Sequence, residues 1–384
     1  MRFDFDAVRD RVATDSVKWA KYAGNPLPGG VIPLWVADMD FAAPPALIDA
    51  LRQRIDHGVF GYNQPTASQT DAVISYLARK FNWTIDPEWI VWLPGLVSGL
   101  NVACRAIGAP GDAVFTATPI YPPFLSAPAH CDRRVARAPL VCDSTGWLWD
   151  FAAVDAVLKT SQAKLFLLCH PHNPTGRVWN EGELWQIALL AEKHDLVVCS
   201  DEIHNGLILS PSCQHRLFAT LGPELAARTI TLMAPTKTFN IPGLGCAFAI
   251  IPERRLRGSF RAAMHGIVPH VNALGLVATE AALTLCDDWH AALLDYLRGN
   301  ARIVERAVMA LPGLDMRPVE ATYLAWIDAR ELAADAGIGN PARYMERHGV
   351  GLSDGADFGA PGFVRLNFGT RRALLEEALA RLRQ

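Results

Sequence analysis

Lys164-Leu-Phe-Leu-Leu-Cys169, the loop His170-Pro-His-Asn-Pro-Thr-Gly176, the stretch Glu181 to His194 and then Leu196-Val-Val-Cys199 decide the fold. The first and last are short apolar runs, read as buried strands. Between them, Leu184, Ile187, Ala188 and Ala191 recur at the i, i+3, i+4, i+7 spacing of one helical face. Strand, helix, strand in so short a span is a βαβ unit, which demands a parallel sheet with a right-handed crossover. Asp112 to Ala117 and Thr229 to Met233 read as further strands of that sheet. The expectation is an α/β protein with a mostly parallel central sheet flanked by helices.

The two ends read differently. Residues 1–44 are rich in Pro, Gly and aromatics and read as an irregular arm that contributes to a smaller domain. Residues 45–288 form the large α/β domain, and 289–384 a small α+β domain. The latter holds a long helix (Trp289 to Leu311), strands at Tyr323-Leu-Ala-Trp-Ile327 and Phe363-Val-Arg-Leu366, and a closing helix from Arg371. A length of 384 residues suits two to three domains at about 150 residues each, with core enough to need no disulfide or metal staple.

Composition excludes several classes. Lys+Arg is 36 against Asp+Glu 39, a net charge of −3, without the basic excess of a nucleic-acid binder. The eight cysteines are scattered with no CxxC pair, and Cys169 and Cys199 sit inside apolar runs, which reads as a reducing cytoplasm. Met1-Arg-Phe-Asp-Phe-Asp6 carries acids where a signal peptide needs a cationic start. No apolar run approaches the ~18 residues that span a bilayer. A metal is not expected: His170, His172 and His204 lack a carboxylate or thiol at ligand spacing. Ser98 is not a nucleophile elbow, because Leu96 stands in the first Gly position.

Lys237 is the candidate for the chemistry. It is the last of seven lysines and the one charged residue from Thr229 to Pro252, in Met233-Ala-Pro-Thr-Lys237-Thr-Phe-Asn-Ile-Pro-Gly. An apolar setting disfavours its charged form and makes the amine a nucleophile able to form Schiff bases with carbonyl compounds, pyridoxal phosphate among them. A surface or ion-paired lysine is the alternative for Lys237 taken alone. Asp201, Asn173 and Tyr121 stand at or after the carboxyl ends of neighbouring strands, where open α/β sheets bind ligands. An aspartate can keep a pyridinium nitrogen protonated, an Asn amide can hold a phenolate oxygen, and a Tyr ring can stack on a pyridine face. Each could instead belong to an ordinary turn or acidic loop.

Taken together, Asn173-Pro-Thr-Gly, Ser200-Asp-Glu-Ile-His204 and Thr236-Lys-Thr-Phe-Asn240 resemble the signature set of fold-type-I, pyridoxal phosphate-dependent aminotransferase-like enzymes. Trp35-Val-Ala-Asp-Met-Asp-Phe41, Gly58-Val-Phe-Gly-Tyr62, Lys237-Thr-Phe-Asn-Ile-Pro242 and Gly362-Phe-Val-Arg-Leu-Asn-Phe-Gly369 resemble its MalY/PatB-type cystathionine β-lyase (carbon–sulfur lyase) branch. The resemblance runs from about residue 3 to 369. It implies Lys237 as the Schiff-base lysine and general acid/base, Asp201 on the pyridine nitrogen, Asn173 on the phenolate oxygen, and Tyr121 stacked on the ring with a part in catalysis.

It further implies Arg365 as clamp of the substrate carboxylate, beside Val36. Tyr62 would reach the cofactor phosphate and substrate of a neighbouring subunit, hence a homodimer with shared sites. Gly95-Leu96-Val97-Ser98-Gly99 fits a loop opening a helix, whose free N–H groups suit a phosphate. Where related aminotransferases have Ser and Arg near the lysine, this chain has Ala234 and Gly245, leaving Thr236 as the nearby hydroxyl. His204 replaces a Tyr near the ring oxygen, with an open role. The implied reaction is α,β-elimination of L-cystathionine or a related cysteine S-conjugate to pyruvate, ammonia and a thiol. An aminotransferase shares the same residues and is the alternative; a non-catalytic cofactor-binding regulatory protein is the alternative of another class.

Overall fold

A computed structural model describes residues 3–335 and 337–383. Its centre is a seven-stranded sheet: β1 (Ile90–Leu93), β2 (Ala113–Thr118), β3 (Arg134–Pro139), β4 (Leu165–Cys169), β5 (Val197–Asp201), β6 (Thr229–Met233) and β7 (Ala247–Ile250). The spatial order is β1-β7-β6-β5-β4-β2-β3. Strands β3, β2, β4, β5 and β6 run parallel, while β7 lies antiparallel to both β6 and β1. The sheet is therefore mixed at one edge, because the short turn after the Lys237 loop brings β7 straight back beside β6.

Alternation along the parallel strands buries both faces, as such sheets require. Phe166 and Leu168 of β4 pack with Leu184, Ile187, Ala188 and Ala191 of helix α2 (Glu181–Lys193) on one side. Leu165, Leu167 and Cys169 face the other, with Leu100, Ala103 and Cys104 of helix α1 (Leu96–Ala106). Asn180 opens α2 through a capping box with Glu183, so a local device and an apolar stripe agree on where this helix starts. Gly99 lets α1 approach the sheet: a Cβ there would stand 3.0 Å from a Leu232 methyl and 3.1 Å from one of Leu93.

A second sheet, β8 (Asp315–Met316), β9 (Leu324–Asp328), β10 (Ser353–Asp354) and β11 (Phe363–Asn367), is antiparallel in the order β8-β9-β11-β10. The long helix α3 (Asp287–Met309) and the helix Arg372–Arg381 cover it. The N-terminal arm is irregular apart from a short helix, Val17–Ala20, and the pair Ile32–Pro33, which runs parallel to Val350–Gly351. The arm is thereby joined to the C-terminal part of the chain.

The arm is also held by charge. Lys18 has no exposed side-chain surface and pairs with Asp40 at 2.9 Å and Asp38 at 3.9 Å, while Arg11 reaches the same two carboxylates at 2.7 and 2.6 Å. Burial of such charges is tolerated only where each is paired. Among the described residues, no helix is long and apolar enough to cross a membrane.

Candidate active site

Because β2, β4, β5 and β6 are parallel, their carboxyl ends share one edge of the sheet. Tyr121, Asn173, Asp201 and Lys237 come from those four ends, and all line one cavity of about 260 Å³. His204, Thr236, Leu96, Val97 and Val36 line it too. Of the residues singled out in the sequence, Arg365 stands beside the cavity, bonded to Asn173. Tyr62 does not join them: it is fully exposed, in the extended stretch between helices Pro45–Asp56 and Ala67–Phe81.

Each side chain is set by its surroundings. Lys237 is half-buried, and desolvation in the cavity, with the nearby Arg365 cation, lowers its pKa to about 8 against an ordinary 10.5. Its Nζ donates to the Ala37 carbonyl. Asp201 accepts the Ile203 N–H at 3.1 Å, yet burial raises its carboxyl to about 7. A cationic partner in the cavity would reverse that rise. The Asn173 main chain receives the Tyr121 N–H at 3.1 Å, and its Oδ1 accepts from Arg365 Nη1 at 3.0 Å. That leaves its Nδ2 donor for a partner in the cavity.

Arg365 has neutral partners. Besides Asn173, it donates through Nη2 to the Trp35 carbonyl at 3.0 Å and to Ser353 Oγ at 3.3 Å, and its guanidinium lies 4.7 Å over the Phe358 ring. Its Nε is buried without a partner among the described residues, and burial lowers its pKa to about 10. A buried guanidinium with unspent donors is suited to an incoming carboxylate. His204 is also buried with Nδ1 unpartnered, and burial, with the charges of Lys237 and Arg365, drops its pKa to about 3. It is a neutral imidazole.

Also at the cavity, α1 begins at Leu96 after Gly95, which supplies no side-chain cap. Its first amides are therefore available to an anion, in the field of the helix N-terminus. An amine, a buried carboxylate, an amide donor, an aromatic ring and an uncapped helix start around one cavity fit pyridoxal phosphate.

A further set was not legible in the sequence. The segment Trp35–Met39 has no regular hydrogen-bonded structure, yet every carbonyl in it has a side-chain donor. Trp35 O takes Arg365 and Ser353, Val36 O takes Asn367, and Ala37 O takes Lys237 and Tyr323. Asp38 O takes Asn367 and Lys18, and Met39 O takes Asn240 and Arg11. The donors come from the arm, the Lys237 loop and the second sheet, up to 331 positions away. Tyr323, read as the first residue of a strand, stands just before β9, which starts at Leu324.

Comparison with known proteins agrees with this geometry. The family model for aminotransferase class I and II matches residues 30–382. The cystathionine β-lyase PatB of Bacillus subtilis (strain 168) is 36% identical over 385 residues, 99% of each chain. Among solved structures, OvoB superposes with a TM-score of 0.94 at 45% identity, covering 99% of this chain and 98% of that one. Cystalysin from Treponema denticola, whose crystal structure contains pyridoxal 5'-phosphate, gives 0.93 at 33% identity, covering 100% and 98%. The chain belongs to the aminotransferase class I and II family, in the branch that includes the cystathionine β-lyase PatB.

Proposed function

We propose that this protein is a pyridoxal phosphate-dependent carbon–sulfur β-lyase acting on L-cystathionine or a related cysteine S-conjugate. The observation that carries the reading is the convergence of Lys237, Asp201, Asn173 and Tyr121 on one cavity, with Arg365 alongside and, among the described residues, free of any anionic partner. When bound, the cofactor supplies an electron sink for negative charge at the substrate's Cα. Asp201 would hold a proton at its ring nitrogen, Asn173 would donate to its ring oxygen, Tyr121 would stack on its face, and the amides at the start of α1, with Thr236, would receive its phosphate.

Arg365 grips the substrate α-carboxylate beside Val36 and so fixes which Cα bond faces Lys237. Lys237, lowered to about 8, reaches its free-amine form in mildly alkaline solution far more readily than an ordinary lysine, and as the amine it removes the Cα proton. Loss of a thiolate from Cβ follows, and water then releases pyruvate and ammonia. His204, neutral, serves as a wall and not as a proton donor.

Exposure of Val59, Phe60 and Tyr62 on one irregular stretch supports a homodimer in which Tyr62 completes the partner's site. The arm at 1–44, the large domain at 45–288 and the small domain at 289–384 remain our division of the chain. Eight free cysteines support a cytoplasmic setting. The deciding experiment is pyruvate and ammonia release from L-cystathionine by cofactor-loaded protein without a keto acid. Multiple turnovers support elimination. Turnover appearing only once a keto acid is added means an aminotransferase, and cofactor binding with no turnover of any cysteine conjugate means a regulatory protein.

A further inference from the structure

Lys237 Nζ and the Tyr323 hydroxyl converge on a single acceptor, the Ala37 carbonyl, the phenol at 3.0 Å. Of the five successive carbonyls from Trp35 to Met39, this is the one whose donors include the lysine assigned above to proton transfer. The other four keep their donors whatever Lys237 does. While Lys237 is joined to the cofactor, its nitrogen is no longer an ammonium with three protons to donate. The phenol is then the side chain that stays on Ala37.

The phenol is built to stay. Tyr323 is 1% exposed, and burial pushes its pKa above the ordinary value, so it remains an O–H donor at any working pH. Thr322 just before it has φ +76°, a left-handed conformation that is uncommon for a β-branched residue and costs on the order of 1–3 kcal/mol. The chain is locked there by three bonds. The Thr322 N–H donates to the Leu207 carbonyl at 2.8 Å, Thr322 Oγ1 accepts the Leu324 N–H at 3.1 Å, and the Tyr323 carbonyl accepts the Phe368 N–H at 2.9 Å. The His204 ring meets the Tyr323 ring edge-on, with centroids 6.4 Å apart. Backbone strain retained beside a site points to an aim that the fold maintains.

We infer that Tyr323 is a positioning residue: its hydroxyl holds the Ala37 carbonyl as the acceptor on which the Lys237 amine rests whenever that lysine is free. The amine thus returns to one point beside the substrate's reacting carbon, and is not left to wander in the cavity. The inference rests on the reading of Lys237 given under the proposed function. Two donors sharing one carbonyl also weaken each other's bond, so the phenol disfavours the ammonium. This adds to burial and to the Arg365 charge and opposes the attraction of Asp38 and Asp201.

Tyr323→Phe deletes one oxygen and keeps the ring. In the full chain freed of cofactor, the rate at which a small amine-acylating reagent labels the Lys237 peptide, followed by mass spectrometry across pH, gives the amine's midpoint. The five exposed lysines, Lys21, Lys80, Lys159, Lys164 and Lys193, serve as internal controls. The midpoint should rise by about half a unit or more. In the holoenzyme, kcat should fall about tenfold with KM within about twofold, because the carboxylate clamp is untouched.

A kcat within about twofold of the parent overturns the inference. So does a fall in kcat with an unmoved midpoint, since the hydroxyl then acts elsewhere. If Tyr323→Phe loses its fold, Thr322→Gly keeps the phenol but frees the backbone that aims it, and both readouts should move in the same directions. Borohydride reduction of the parent holoenzyme separates this proposal from the one beneath it: cofactor not fixed on the Lys237 peptide defeats the catalytic reading itself.

Discussion

Arg365 and Asn173, 192 positions apart, share a buried hydrogen bond of 3.0 Å from Nη1 to Oδ1. The residue assigned to the substrate carboxylate and the residue assigned to the cofactor's ring oxygen are therefore one mechanical unit. On that assignment, a displacement of the guanidinium would be felt by the amide, and loss of either should loosen the other.

Arg365→Lys tests that unit. Lysine keeps the charge but has no planar fork to span a carboxylate, Asn173, Trp35 O and Ser353 together. KM for the amino-acid substrate should rise by about 10- to 100-fold, with a smaller fall in kcat. Cofactor affinity, measured by fluorescence titration, should weaken as well. Unchanged cofactor affinity would show that the bond to Asn173 does not orient the amide.

Lys237→Ala should lower turnover by at least about 10³-fold while leaving the unfolding curve close to the parent's, since the methyl occupies an already roomy cavity. Steady-state pyruvate release and circular dichroism are the two measurements. Residual activity near the parental level would remove Lys237 from the reaction.

Asp201 makes the cofactor-free chain sensitive to pH. Its carboxyl is raised from 3.8 to about 7, so across that window the folded chain holds a proton the unfolded chain has lost. A raised folded pKa means stability that is present at the low end and declines as pH climbs through about 7, by at most about 1.4 kcal/mol per unit for one proton. Neighbouring Glu202, also buried and raised to about 7, contributes a slope of the same sign. Urea unfolding at several pH values should show a shallower decline in Asp201→Asn. Cofactor loading should remove the Asp201 share, because the pyridinium charge compensates the carboxylate.

Asp40→Ala leaves the fully buried Lys18 ammonium with Asp38 alone, at 3.9 Å. Breaking a buried pair from one side costs roughly 3–5 kcal/mol. Chemical denaturation should register that loss. Lys18→Met, which removes the charge but fills the space, should cost less than Asp40→Ala. Equal losses would mean that packing, and not the ion pair, fixes the arm.

Mixed dimers test the place of Tyr62. Tyr62→Ala and Lys237→Ala chains, each inactive alone, should regain activity when mixed and allowed to exchange, because each mixed dimer has one site with both residues intact. No recovery after verified exchange would place Tyr62 in its own chain's chemistry or outside the chemistry.

The βαβ unit around Lys164–Cys199 and the helix stripe of α2 were legible because both are local. Short apolar runs and a stripe at the 3.6-residue period are written along the chain, and the structure buries the same four α2 residues. Lys237, Asp201, Asn173 and Tyr121 were legible for a related reason. Parallel strands bring their carboxyl ends to one edge, so position after a strand is enough to place a residue at the cavity. The antiparallel return of β7 and the donors on Trp35–Met39 were not. Asn367, Tyr323, Ser353 and Lys18 meet that segment through contacts spanning up to hundreds of residues, and nothing in their neighbours marks them as donors to its carbonyls. The sequence by itself determined the α/β class, the approximate place of the central strands and the lysine to be assigned to the reaction, because these depend on local pattern and on residue chemistry. Only the tertiary structure decided what holds Ala37 against that lysine, because an irregular backbone must satisfy its carbonyls from wherever the fold supplies a hydrogen.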